Sequence, residues 1–251
     1  MDDFQGRVEA NTTVGRGYYF MRIGLTRPLG PVEPGQFVMV RLPSADYFLR
    51  RPFSIYGHGQ TWLSILYRVS GGGTEYLSRA KKGQQLAVLG PLGKGFRVAK
   101  DHTPVIVSGG IGVAGIHLLW QRLKGKAVCF FGCSTEKELC LFEDPAQGGV
   151  VCSTLDGSFG FNGNVVQLLE SHLPQIRRPL QVFACGPEAM YNALRSLLDS
   201  ERIPCQVLVE ERMACGLGLC FGCVRKTSDE SEPYKRVCLE GPVFDLWQIS
   251  L

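Results

Sequence analysis

The chain has 251 residues, 45% of them hydrophobic and 20% charged, with a net charge of +4. These are the values of an ordinary globular protein, and the length predicts two compact domains, or two and a small appendage. The mild charge, with no Arg/Lys stripe interleaved with aromatics, argues against a nucleic-acid partner, and the acidic start Met1-Asp2-Asp3-Phe4 is the opposite of an export signal, so a cytoplasmic protein is expected.

From Phe4 to about Arg97, short apolar or alternating runs (YYFMRIGL, QFVMVRL, FSIYG, WLSILYRV, QQLAVLG) are separated by Gly, Pro and Asp clusters. That spacing predicts an antiparallel barrel or sandwich over residues 1–98. Within it, Arg50-Arg51-Pro52-Phe53-Ser54-Ile55 sets a guanidinium and a hydroxyl close together on a strand, a pairing suited to a pyrophosphate and a flavin edge. Leu66-Tyr67-Arg68 and the loop Ser70-Gly71-Gly72-Gly73-Thr74 follow, the loop able to donate backbone N–H groups to phosphate. An edge strand and a hairpin loop explain the same residues equally well.

After Asp101 the texture changes to strand candidates (104–108, 126–132, 181–185) alternating with helix-like stretches (115–123, 165–172, 187–198), which predicts a parallel sheet with crossover helices over 99–205. The apolar window from Thr103 to Trp120 approaches the length of a membrane span, but glycines and a histidine interrupt it, and a strand, a glycine turn and a helix account for it better. The turn itself, Gly109-Gly110-Ile111-Gly112, has the context of a phosphate-binding site, with the start of a helix offering unpaired N–H groups to an anion. A tight packing turn is the alternative. Beyond the next strand come Glu136 and Glu138, whose carboxylates disfavour a 2′-phosphate and can accept from a ribose hydroxyl, so NADH is preferred to NADPH. Cys185-Gly186-Pro187 ends a strand at the carboxyl edge of the sheet, where ligands of open α/β sheets bind, unless it is a plain strand-to-helix turn.

Residues 206–251 are rich in Cys and Gly and too few to bury a core unaided, so a cofactor is expected to organise them. Of the ten cysteines, Cys129, Cys133, Cys140, Cys152, Cys185 and Cys205 are scattered, several of them in apolar runs that read as buried small hydrophobes. The other four differ. Cys215, Cys220 and Cys223 are separated by four residues and then two, with Cys238 standing further on, the spacing of plant-type 2Fe-2S ligation. Gly216, Gly218 and Gly222 let that loop bend and bring amide N–H groups close to bridging sulfides. A structural zinc site could use the same four thiolates, although zinc ribbons pair two short knuckles and Cys238 is alone.

The ordered motifs RPFS, GGGT, GGIGVAG and CGP resemble the ferredoxin reductase family, in which a flavin-binding barrel precedes an NAD(P)-binding domain. EERMACGLGLCFGCVRKT followed by VCLEGPVF narrows the resemblance to the electron-transfer subunits of class 1B dihydroorotate dehydrogenase, the PyrK family. The resemblance implies that Arg51, Pro52, Phe53, Ser54, Leu66, Tyr67, Arg68, Gly73 and Thr74 hold FAD. It further implies that Gly109, Gly110, Ile111, Gly112, Gly186 and Pro187 hold NAD(H), with Cys185 as a catalytic residue near the flavin and nicotinamide, and that Cys215, Cys220, Cys223 and Cys238 carry the cluster. The implied partner is an FMN-containing dihydroorotate dehydrogenase catalytic subunit, in a heterotetramer with two of each subunit. Together they would take dihydroorotate to orotate with NAD⁺ in pyrimidine biosynthesis. Related flavin subunits of ferredoxin:NADP, sulfide dehydrogenase or glutamate synthase type share these motifs, and a non-catalytic zinc module is the alternative of another class.

Overall fold

A computed structural model describes residues 2–141 and 149–251, without the side chains of Cys140 and Leu141. The first half is built from β1 (Asp2–Gly15), β2 (Tyr18–Leu25), β3 (Phe37–Arg41), β4 (Arg51–Ser54), β5 (Gly57–His58), β6 (Trp62–Arg68), the helix α1 (Gly72–Ser78) and β7 (Gln85–Leu92). These strands form one antiparallel sheet in the order β4-β3-β7-β1-β2-β6-β5. The sheet curls until β4 approaches β6, and the Phe53 ring meets Tyr67 edge-on at 5.7 Å. Alternation drives the curl: Leu63, Ile65 and Tyr67 of β6 face inward with Met21, Ile23 and Val88, forming the barrel core.

The second half contains β8 (Thr103–Gly109), α2 (Val113–Arg122), β9 (Val128–Cys133), β10 (Val150–Thr154), β11 (Phe161–Asn162), α3 (Val165–His172), β12 (Leu180–Cys185), α4 (Glu188–Leu198) and β13 (Cys205–Leu208). The chain then adds β14 (Val224–Lys226), β15 (Tyr234–Arg236) and β16 (Val243–Asp245). The second sheet runs β11-β10-β9-β8-β12-β13-β16, parallel up to β13, with β16 added antiparallel. Phe130, Phe131 and Phe183 are fully buried in it, each contributing roughly 1.5–3 kcal/mol by leaving water. The strand order reverses between β8 and β12, and that switch point places the turns after both strands in one crevice. Among the described residues no helix is long and apolar enough to cross a membrane.

The C-terminal segment departs from expectation. The boundary drawn between 205 and 206 falls inside β13, and β16 pairs with β13 through Leu208 and Val243. Val237, Phe244, Leu246 and Ile249 pack into the core formed under α3 and α4 rather than around a core of their own. The segment is therefore anchored by the sheet, and the cysteine loop is what remains to be organised. The crossing between the two sheets is also pinned: Gln181 and Gln206 both donate to the Arg97 carbonyl, at 3.1 and 2.6 Å.

Two clefts and a cysteine loop as the candidate functional site

The turn after β8 is as tight as its glycines permit. Gly110 has φ +52°, and a β-carbon on Gly112 would lie 2.2 Å from the Cys185 carbonyl oxygen and 2.7 Å from the Gly186 nitrogen. The turns after β8 and β12 thus lie back to back, which only glycine allows. The Tyr191 hydroxyl accepts from Gly186 N–H at 3.0 Å and donates to the Leu208 carbonyl, tying the second turn to β13. Above these turns opens a cleft of about 530 Å³, lined by Gly109, Gly110, Ile111, Gly112, Gly186 and Pro187, all six of the residues expected there. Its size suits a dinucleotide portion and its floor is backbone amide at a helix start, chemistry that fits a pyrophosphate.

On the far wall, Glu138 has both oxygens engaged. Oε1 accepts from the Tyr18 hydroxyl of the barrel at 3.0 Å and Oε2 from Ser134 N–H at 2.9 Å. Glu136 lies outside this lining and is exposed, its own N–H donating to Ser158 Oγ. Only one of the two glutamates reaches the cleft.

Cys185 requires a correction. It is 1% exposed and lines neither cleft; its sulfur lies under α2, 2.8 Å from where a Gly115 β-carbon would be. Burial, with Glu210 nearby, pushes its thiol well above the ordinary range, against the thiolate that chemistry at the cleft would use. Strand phase explains the miss: the Cys185 backbone borders the turn while its side chain points to the opposite layer. Cys129, Cys152 and Cys205 are buried as expected of small hydrophobes, and Cys133 touches the nucleotide cleft with its thiol pushed up to about 12 by burial. The side chain of Cys140 lies outside the described residues.

A second cleft, about 360 Å³, separates the barrel from the sheet and is lined by Arg51, Pro52, Phe53, Ser54, Leu66, Tyr67, Arg68 and Thr74. The two arginines of the RRPFS run diverge. Arg50 turns away to hold Asp3 through two bonds, at 3.1 and 2.7 Å, whereas Arg51 lies against Gly73, its Nε 2.7 Å from where a Gly73 β-carbon would be. Gly73 thus lines the cleft's arginine rather than the cleft, and the bare backbone beside a guanidinium is a cradle that fits phosphate oxygens.

Two further expectations in this cleft are revised. The Ser70–Thr74 loop is not a simple hairpin loop, because α1 begins at Gly72. The Thr74 hydroxyl caps that start, accepting from the Ser70 and Gly71 N–H groups at 2.9 and 3.1 Å. Tyr67 lines the cleft, but its hydroxyl is turned into the barrel, donating to Asn11 Oδ1 at 3.0 Å, and its ring stacks on Tyr19 at 5.6 Å.

Arg68, Ile111 and Glu210 line both clefts, so the two meet at these residues. Glu210 faces open cleft, yet the surrounding walls push its carboxyl above the usual range by desolvation, with Arg68 pulling the other way. Sequence reasoning passed over Glu210. The signal was available, since it follows a strand at the carboxyl edge of the sheet, where α/β ligand sites form.

Five residues beyond Glu210 the chain reaches the cysteine loop. Gly216 and Gly218 take φ of +71° and +76°, and β-carbons there would press on Met39 and Leu239. Amides point at the sulfurs: Leu217 N–H to Cys215 at 3.3 Å, Gly218 N–H to Cys238 at 3.1 Å, Gly222 N–H to Cys220 at 3.4 Å and Cys238 N–H to Cys223 at 3.4 Å. Cys215 interacts with Cys220, and Cys238 with both Cys223 and Cys215. Burial works to raise Cys215, but the amides of Leu217 and Cys220 and the Cys220 thiol outweigh it and bring it down to about 6. Cys238 is pushed up to about 12 by burial and by Cys223. Four cysteines, three in one loop and Cys238 beyond it, with backbone amides aimed at each sulfur, fit a cluster of two irons bridged by sulfide.

Residues 210–250 match the family described as the iron-sulfur cluster binding domain of dihydroorotate dehydrogenase B. The chain is 41% identical over 230 residues to the dihydroorotate dehydrogenase B (NAD(+)) electron transfer subunit of Enterococcus faecalis, covering 87% of each. It is 36% identical over 256 residues to the subunit of that name from Desulforamulus reducens, covering 98% of this chain and 97% of that one. Among solved structures, a chain of the NADH-dependent reduced ferredoxin-NADP oxidoreductase superposes with a TM-score of 0.85 at 23% identity, covering 98% of this chain and 89% of that one. Phthalate dioxygenase reductase gives 0.65 at 16% identity, with 94% of each chain covered. These two share the fold.

Proposed function

This chain belongs to the family of electron transfer subunits of dihydroorotate dehydrogenase B, and on that footing we propose that it passes electrons between NAD(H) and a catalytic subunit by way of FAD and a 2Fe-2S cluster. The observation that carries this reading is continuity: the nucleotide and barrel-side clefts share Arg68, Ile111 and Glu210, and the wall from Glu210 to Met213 leads directly into Cys215. Three redox sites in a row are what a relay needs. When bound, the flavin supplies the exchange between the electron pair of a nicotinamide and the single electrons of a cluster.

The chain's own residues hold and orient. Gly109, Gly110, Ile111, Gly112, Gly186 and Pro187 cradle the dinucleotide phosphates, and the Glu138 carboxylate in the same cleft favours NADH over NADPH by disfavouring a 2′-phosphate. Arg51 and the Gly73 backbone take the flavin pyrophosphate, Pro52, Phe53, Ser54, Leu66, Tyr67 and Arg68 bound its ring system, and Thr74 shapes the loop. Cys215, Cys220, Cys223 and Cys238 ligate the irons. Cys220 is exposed, between Leu219 at 77% and Phe221 at 61% exposure, and this apolar collar marks the face that meets the partner. The partner is an FMN-containing catalytic subunit oxidising dihydroorotate, in a cytoplasmic assembly of two subunits of each kind.

Co-expression with that subunit tests the reading. The complex is expected to be brown, to release FAD on denaturation, and in the Cys220→Ser variant to reduce FAD with NADH while failing to deliver electrons to the partner. A colourless protein containing zinc, or a Cys220→Ser complex with full delivery, overturns it.

A further inference from the structure

A cysteine loop serves a relay only if it is held at a fixed place relative to the flavin-side cleft. One residue of this loop's base makes contacts that do so. Arg225 lies on β14, just past Cys223. Its Nη1 donates to Glu211 Oε1 at 2.7 Å, its Nη2 to Glu188 Oε2 at 2.7 Å and its Nε to the Ser250 carbonyl at 3.1 Å. The guanidinium is sheltered, with 19% side-chain exposure against 26% for Glu211.

Each anchor belongs to a different part of the machinery. Glu211 is in the wall of the barrel-side cleft, and Glu188 opens α4 directly after the Gly186–Pro187 turn of the nucleotide cleft. Ser250 belongs to the terminal segment that packs against the sheet. The Glu211–Arg225 pair also brackets the stretch carrying Cys215, Cys220 and Cys223, so it closes the base of the loop that bears three of the four sulfurs. The fourth side is braced independently, by Arg236 donating to the Gly218 carbonyl at 3.0 Å and to Glu240. A planar fork with separate donors can serve three acceptors in fixed directions, which a lysine ammonium cannot.

We propose that Arg225 is a positioning residue that clamps the cysteine loop to the wall of the barrel-side cleft and to the start of α4 beside the nucleotide cleft, and thereby sets the geometry for electron passage between the flavin and the cluster. The proposal rests on the relay reading given under Proposed function. It predicts a split effect, because the glycine turns and the RPFS strand that form the clefts do not depend on Arg225, whereas the loop base does.

The test compares the native full chain, loaded with FAD and cluster, with R225Q and R225K. NADH is mixed in stopped flow, flavin bleaching and cluster bleaching are followed separately, and backbone hydrogen exchange is measured over 211–225 on the same samples. R225Q is expected to keep flavin reduction within about two-fold of native while cluster reduction slows about ten-fold or more, as small displacements of reacting centres do. Amide exchange through the cysteine loop should quicken, and R225K, able to satisfy one carboxylate, should fall between. Cluster reduction within about two-fold of native in R225Q, with loop exchange unchanged, overturns the proposal. Should R225Q fail to take up its cofactors, R225K is judged by the same criteria. A native chain that binds neither flavin nor iron overturns the relay reading instead, and its cofactor content distinguishes the two failures.

Discussion

The Tyr18 hydroxyl, on the barrel, donates at 3.0 Å to Oε1 of Glu138, in the short turn of helix that follows β9, and both residues line the larger of the two clefts. The pair lies 120 positions apart in sequence and joins the two halves within the cleft proposed for the dinucleotide. Glu138 keeps its Ser134 N–H partner if Tyr18 is lost, so Tyr18→Phe removes one hydrogen bond and leaves the charge in place. The expected loss is about 1 kcal/mol of stability, a fall of about 2–4 °C in Tm for a chain of this size. The KM for NADH should rise several-fold, while the preference for NADH over NADPH is kept because the carboxylate's charge remains. Calorimetry and steady-state kinetics with both nucleotides check this; an unchanged KM and Tm would remove Tyr18 from the cleft's function.

Gly110 and Gly112 stand in one turn but predict different costs. A methyl at Gly112 meets the Cys185 carbonyl at 2.2 Å, and backbone on both sides cannot give way. Gly112→Ala should therefore part the β8 and β12 turns, lower stability by about 3 kcal/mol or more and abolish nucleotide binding. Gly110→Ala meets nothing within 4 Å and bears only the strain of φ +52°, about 1–2 kcal/mol. Urea unfolding and NADH titration of the two variants should separate them clearly, and equal losses would contradict this packing.

The parts of this site legible in the sequence are those carried by local spacing. The cysteine loop, the glycine turn in its strand–helix context and the RPFS strand all lie where residue types and intervals place them, because each is a local motif with a backbone requirement. Other features depend on phase or on distant partners. Tyr67 shares the inward phase of Leu63 and Ile65, so period-two alternation assigns it to the barrel core once the strand is read as half-buried. α1 begins in a run of glycines, the poorest helix formers apart from proline, and is made by the Thr74 cap and by Leu77 entering the barrel core. The Arg225 contacts with Glu188 and Glu211, and the pairing of β16 with β13, are set by tertiary packing alone.

Cys185 provides a direct check on the revised site. Its thiol is enclosed beneath α2 and lines neither cleft, which argues against a part in hydride transfer. Cys185→Ala should retain the rate of flavin reduction by NADH within about two-fold and cost about 1–2 kcal/mol through the small cavity left under Gly115. Stopped-flow reduction alongside denaturant unfolding makes the comparison. A large drop in the reduction rate with stability intact would return Cys185 to the chemistry.

Glu210 yields a pH prediction whose sign follows from its surroundings. Desolvation at the junction of the clefts raises its folded-state pKa above the ordinary carboxyl value, against the opposing pull of Arg68; Cys185 and Tyr191 also sense its charge, and both stay neutral. With the folded pKa above the unfolded one, the folded state binds the proton more tightly, and the slope of unfolding free energy with pH is negative between the two. Glu210 thus favours the fold most when pH is below its unfolded value, and that contribution is lost as pH rises through the folded value. Glu210→Gln, which cannot ionise, should match the native chain at acid pH and become the more stable of the two as pH approaches neutrality. Arg68→Gln should do the reverse, because without the guanidinium the folded-state pKa climbs further and the loss with rising pH deepens. Denaturant unfolding of the three proteins across that range measures the differences directly, and parallel pH profiles for native and Glu210→Gln would show that the junction does not desolvate this carboxyl.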